Sequence, residues 1–206
     1  MMFCSNCDNC MLSVNDGNEW QEIHITVKTT DINWFSQLCE KYDGKAITIQ
    51  FDTKDEDIEQ QSMSSIPIKA SRQQALNLAN KFKQECENHG LIVQRIKMEC
   101  SVFGKDCDYD GSSGYFEGHL TIEVPEPLLM GVLQIVSFCN GAHLSKNAFK
   151  ESKFMVTKRY YNTTKTEFIR DMDNLEHEFF KHVDVVKRIH EFCYYDSNIN
   201  LDSNWK

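Results

Sequence analysis

One short alternating segment, written twice, constrains this chain more than any other feature. Glu22-Ile-His-Ile-Thr-Val27 and Gly118-His-Leu-Thr-Ile-Glu-Val124 both set aliphatic residues at every second position. Successive side chains on a strand point to opposite faces. Ile23, Ile25 and Val27 therefore share one face, and Leu120, Ile122 and Val124 share the matching one. A helical period of 3.6 residues would scatter the same positions around a cylinder. Both segments are accordingly predicted to be strands. Their other faces carry His24 and Thr26 in one case, His119 and Thr121 in the other. An imidazole and a hydroxyl on the face turned from the core are placed to meet a ligand together.

The rest of the chain alternates between helical and strand patterns around these two segments. Asp31 caps a helix reaching about Tyr42, stopped by Asp43-Gly44. Residues 46–51 alternate as a strand, and 64–69 form a short strand made peripheral by Pro67. Ser71-Arg-Gln-Gln74 is a capping box opening a helix with Leu76, Ala79, Phe82 and Cys86 on one side. His89-Gly90 ends it, and 91–100 reads as a strand. The second half follows the same order, with an apolar helix over 126–140, strands over 142–144 and 154–161, the capping box Thr164-Lys-Thr-Glu167, and a last strand over 185–194. A common offset sets Ser71 on Thr164, Gln74 on Glu167, His89 on His182, and Ile92-Val-Gln-Arg-Ile on Val185-Val-Lys-Arg-Ile. These matches predict an α+β fold built by internal duplication of a β-α-β-(β)-α-β, ferredoxin-like unit. Its antiparallel sheets are expected to face one cleft.

The expected organisation is a Cys-containing leader over 1–18, a first α+β repeat over 19–100, an acidic inter-repeat loop over 101–117, a second repeat over 118–195 and a polar tail over 196–206. No run approaches the roughly 20 apolar residues of a membrane span, and the start lacks a signal-peptide pattern. The nine cysteines are an odd number without framework spacing. Reduced thiols in a cytoplasmic setting, with no membrane partner, are the expectation. Cys4, Cys7 and Cys10 have metal-ligand spacing, but a structural zinc site needs a fourth ligand that the neighbourhood does not supply. The formal net charge of −9 argues against bulk nucleic-acid binding. Lys158-Arg159-Tyr160-Tyr161 and Lys187-Arg188 form either a local basic patch or solvated strand edges.

The two motifs His24-Ile-Thr26-Val27 and His119-Leu-Thr121-Ile122, on related strands of a repeated α+β layout, resemble the 2H phosphoesterase superfamily, the LigT and cyclic phosphodiesterase group. That resemblance implies metal-independent hydrolysis of cyclic or 2′-5′ phosphodiesters in a small nucleotide or an RNA end, with no cofactor required for catalysis. His24 and His119 would act as the acid/base pair and Thr26 and Thr121 as substrate-binding anchors for phosphate oxygens. The chemistry suits the residues. An ordinary imidazole titrates near pH 6.5, so one can take a proton while the other gives one. The alternative from another class is a non-catalytic tandem module that binds a small ligand or a protein.

A calcium-responsive version of that module rests on the inter-repeat segment. Asp106-Cys-Asp108-Tyr-Asp110-Gly111, followed after five residues by Glu117, satisfies the calcium-loop formula. Asp106, Asp108 and Asp110 would give carboxylate oxygens and Glu117 a bidentate pair to Ca2+. A solvated acidic hairpin loop explains the same residues without a metal. There is no glycine-rich phosphate loop, so nucleoside triphosphate or dinucleotide chemistry has no support.

Overall fold

The computed structural model describes residues 19–29, 31–52, 58–104, 114–125, 129–147 and 152–201, without the side chains of 49–52 and 58–60. In chain order the elements are β1 (Glu19–Lys28), α1 (Ile32–Lys41), β2 (Lys45–Asp52), β3 (Ile58–Ala70), α2 (Arg72–Asn88), β4 (Ile92–Ser101), β5 (Tyr115–Glu123), α3 (Met130–Cys139), β6 (His143–Asn147), β7 (Lys153–Tyr161), α4 (Lys165–Phe180) and β8 (Asp184–Asp196). The strands close into one antiparallel barrel in the order β1-β3-β2-β6-β7-β5-β8-β4.

This corrects the expected fold, in which separate antiparallel sheets face one cleft. A single closed sheet takes their place. Strand alternation fixes which residues share a face, but it does not say which edge pairs with which. Here β4 pairs with β8 from Lys97↔Asp196 to Ser101↔Glu191, and β2 meets β6 at Ile49↔Asn147 and Gln50↔Lys146. These two seams join edges that would otherwise present unpaired N–H and C=O groups, and barrel closure removes such edges. The polar strand faces consequently meet inside a lumen.

Local chemistry explains where the elements begin and stop. Ser71 and Thr164 each accept from the backbone N–H three residues on, while Gln74 and Glu167 reach back to the cap N–H, completing both capping boxes. The Asp31 side chain accepts from Trp34 N–H to start α1. Asp43, at φ 56, turns the chain out of that helix, and Gly90, at φ 86, turns it out of α2. Strand β3 is longer than the sequence suggests and is not peripheral. It pairs with β1 on one side and β2 on the other. Pro67 fits because it lies past Ser65, the end of the pairing with β2, where a missing N–H is tolerated.

The hydrophobic core lies between the outer face of the barrel and the helices. Ile23, Ile25 and Val27 of β1 and Leu120 and Ile122 of β5 bury there, with Phe35, Phe82, Phe168 and Phe179 from the helices. Phe116 and Phe168 stack with centroids 5.0 Å apart, tying β5 to α4. Full burial of each such ring contributes roughly 1.5–3 kcal/mol. Gly118 lets α4 come close, since a Cβ there would collide with the Met172 thioether. Helix α3 carries no charge; it buries Leu133 and Ser137 and leaves Ile135 and Phe138 exposed.

Candidate functional site in the barrel lumen

Every second residue of the strands that bury aliphatic groups outward points inward, and many of those residues are charged or polar. On β1 they are Glu22 and His24; on β4, Arg95, Lys97 and Glu99; on β5, Tyr115, Glu117 and His119. An eight-stranded barrel is just wide enough for side chains to fill it. Charges held there must therefore pair with one another.

They form a chain of alternating sign. His24 Nε2 lies 3.8 Å from Glu22 Oε1 and 3.1 Å from Glu99 Oε2. Lys97 Nζ sits 2.9 Å from Glu99 and 2.9 Å from Glu117. Glu117 continues to His119 Nε2 at 3.2 Å and accepts from Arg159 Nε. His119 Nε2 lies 3.3 Å from Glu191. The remaining ring nitrogens are also occupied. His24 Nδ1 is 2.9 Å from the Ser64 carbonyl oxygen, and His119 Nδ1 is 2.9 Å from Thr157 Oγ1. A second cluster is built on Arg95, which donates through Nε to Asp196 at 2.9 Å and through an Nη to Tyr115 at 3.0 Å, while Tyr115 donates to Asp196 at 2.7 Å.

These contacts set the protonation states. Burial opposes charge on both imidazoles, and carboxylates outweigh it. Glu99 raises His24 above the ordinary histidine range, and Glu117 with Glu191 push His119 up to about 10. Burial likewise opposes ionisation of Glu99 and Glu117. Lys97, with His24 on one side and Arg159 on the other, holds both carboxyls below the usual range. The neutral-pH state is a set of buried cations and anions, each facing its opposite.

The sequence-predicted residues divide clearly. His24 and His119 do enter one shared space, the lumen, and both spend Nε2 on carboxylates. Thr26 lies on the same inward face and is buried; Thr121, opposite Met155 of β7, is half-buried. Asp106, Asp108 and Asp110 lie outside the described residues, as do Cys4, Cys7 and Cys10. Glu117 is described, and its two oxygens are committed to Lys97 and Arg159. In the would-be basic patch, Arg159 is turned into the barrel, and Arg188 pairs with Asp173 and Glu176 of α4 at 2.6 and 2.7 Å. Among the described residues, no group of three or more His, Cys, Asp or Glu is arranged to hold a metal ion.

Sequence reasoning missed Glu22, Lys97, Glu99, Glu191 and Asp196. A signal existed in Arg95-Ile-Lys-Met-Glu99, where charges of both signs alternate with apolar residues. It was indistinguishable from a strand with one face in water. Three of the missed carboxylates, Glu22, Glu99 and Glu191, line a cavity of about 340 Å³ between β1, β4 and β8. Trp20, Ser101, Phe103 and His190 also line it. The cavity thus reaches the acidic partners of both histidines.

No protein-family model matches the chain, and no curated protein matches it. Among solved structures, it is similar to a candidate monooxygenase from Fusobacterium nucleatum at 10% identity and a TM-score of 0.35, covering 86% of this chain and 92% of that one. A candidate monooxygenase from Lactobacillus acidophilus is similar at 11% identity and a TM-score of 0.31, covering 85% and 93%. A candidate transcriptional repressor of a glycine cleavage system gives 12% identity and a TM-score of 0.29, covering 84% and 97%. Likenesses this distant carry no argument about what the chain does. None of the helices among the described residues is long and apolar enough to cross a membrane.

Proposed function

We propose that the chain is a ligand-binding barrel that takes a small molecule in the cavity between β1, β4 and β8. The observation that carries this reading is the cavity itself. Its volume of about 340 Å³ lies within the range of small-molecule sites, roughly 300–1,000 Å³. It also combines apolar walls, Trp20 and Phe103, with charged groups anchored by the lumen's ion pairs. Such a site is pre-formed, because the carboxylates are positioned by partners on neighbouring strands.

Paired-histidine phosphoesterase chemistry, with His24 and His119 as acid and base and Thr26 and Thr121 as anchors, is favoured by one observation: both histidines project into one lumen. It would need an imidazole able to take a proton near neutrality and room for a phosphate among the carboxylates. The raised histidines and the three cavity carboxylates support binding over hydrolysis.

Ligand-observed NMR against a small-molecule fragment set tests the binding reading, with Ser101→Trp as the blocked control, since Ser101 is exposed on the cavity wall. Fragments that bind the wild type and are lost in the variant are expected. No binding, or equal binding to both proteins, refutes it. The same samples incubated with 2′,3′-cyclic and 2′-5′-linked nucleotides in EDTA decide the hydrolytic reading.

A further inference from the structure

Helix α3 lies outside the barrel, on β6 and beside α4, and it turns an apolar face to solvent. Its buried side is Leu133 and Ser137. At about 3.6 residues per turn, the pole opposite that pair falls on Ile135. Gly131 and Phe138 share one flank of the pole, Val132 and Cys139 the other. Phe138 is 81% exposed, Ile135 65% and Val132 40%. The helix holds no Asp, Glu, Lys or Arg. Helix α1, of the same length, exposes Asn33, Gln37, Glu40 and Lys41 instead. A surface helix is normally polar on its outer side, as α1 is. An exposed apolar patch such as that of α3 marks a contact surface.

Charge and shape select the occupant. The chain carries a formal net charge of −9, so two copies repel unless neutral surfaces meet. The outer face of α3 is such a surface. A lipid surface suits it less, because helices that lie on membranes flank their apolar stripe with Lys and Arg. The face also complements itself. A second α3, turned antiparallel about a twofold axis through Ile135, sets Phe138 of each copy over Gly131 of the other. A Cβ added at Gly131 would meet nothing within 4 Å, so the space for that ring is open. Val132 then faces Cys139, and Ile135 faces its own copy.

We propose that α3 is the contact between two copies of this chain in a weak, reversible twofold dimer. Val132, Ile135 and Phe138 offer roughly 300–400 Å² of apolar surface per copy. At the apolar share of about 65% usual for homodimers, the pair buries about 900–1,200 Å² in all. Stable specific interfaces begin near about 1,200 Å², so this one belongs to the weak end, with association in the micromolar range.

Sedimentation velocity on the full chain, run from low to high micromolar concentration, tests this. The wild type is expected to shift from monomer toward dimer as concentration rises. Ile135→Glu and Ile135→Lys each place like charges across the axis and should weaken the dimer at least about a hundredfold. Mixing the two variants should restore it, a rescue that a self-paired face gives. Ile92→Glu, at a position 63% exposed on β4, should leave dimerisation unchanged. Melting temperatures at low concentration equal to that of the wild type confirm that the variants fold. A wild type that stays monomeric throughout, a dimer that survives Ile135→Glu, or a mixture that stays monomeric overturns the proposal. So does flotation of the wild type with phosphatidylcholine–phosphatidylserine vesicles that Ile135→Glu abolishes, which gives the face to a lipid surface.

Discussion

Lys97 is the hinge of the lumen's electrostatics, and replacing it is the sharpest test of the ion-pair chain. Its ammonium stands 2.9 Å from both Glu99 and Glu117, two carboxylates that are almost fully buried. Lys97→Met keeps the aliphatic stem and removes the charge, so two anions are left sharing a space that water barely enters. Breaking a buried pair by removing one partner costs about 3–5 kcal/mol. For a chain of this size each kcal/mol moves the melting temperature by about 2–4 °C, so a fall of about 6–20 °C is expected at pH 7. Urea unfolding followed by circular dichroism gives the free energy directly.

The pH dependence of that loss has a definite direction. In the wild type the Glu99 and Glu117 carboxyls titrate below their unfolded value of about 4.3, so their contribution is present above that pH and is lost as pH falls through the folded values. Without Lys97 the depression shrinks, and the gap between wild type and variant should narrow as the buffer is taken from pH 7 toward pH 4. A loss below about 1 kcal/mol at pH 7, or one that does not change with pH, would refute the reasoning.

Three further outcomes follow from other contacts. His119 is raised by Glu117 and Glu191, so its contribution is complete below about pH 6.5 and fades as pH climbs toward about 10; in a pH series of urea melts the His119→Gln variant should lose that slope. Phe168→Ala removes a fully buried ring stacked on Phe116 and edge-on to Tyr160, and should cost about 3–5 kcal/mol in the same assay. Thr164→Ala breaks the α4 capping box and should cost about 1 kcal/mol, checked by calorimetry; no measurable loss would mean that the cap is not what starts the helix.

Much of the local structure was legible in the sequence. The Ser71 and Thr164 boxes, the Asp31 cap and the Gly90 stop are short-range devices, complete within four residues, and each appears where the pattern puts it. The aliphatic faces of β1 and β5 were equally plain, because alternation is a property of the strand itself. The length of β3 was not. Its acidic, Gln-rich start resembles a loop, and only pairing with β1 and β2 on both sides makes it a central strand.

The sequence alone determined that His24, Thr26, His119 and Thr121 share faces opposite the hydrophobic core, since a strand offers only two faces. It could not determine what those faces meet. That depended on the seams β4–β8 and β2–β6, which close the sheet through backbone groups common to every residue type. Closure turned faces expected to border an open cleft into the wall of a narrow lumen. There the dielectric is low, each charge needs a partner, and residues far apart in the chain, such as Lys97 with Glu117 and Arg95 with Asp196, supply it. The two histidines were readable as a pair. Their carboxylates, and with them their protonation, belong to the tertiary structure.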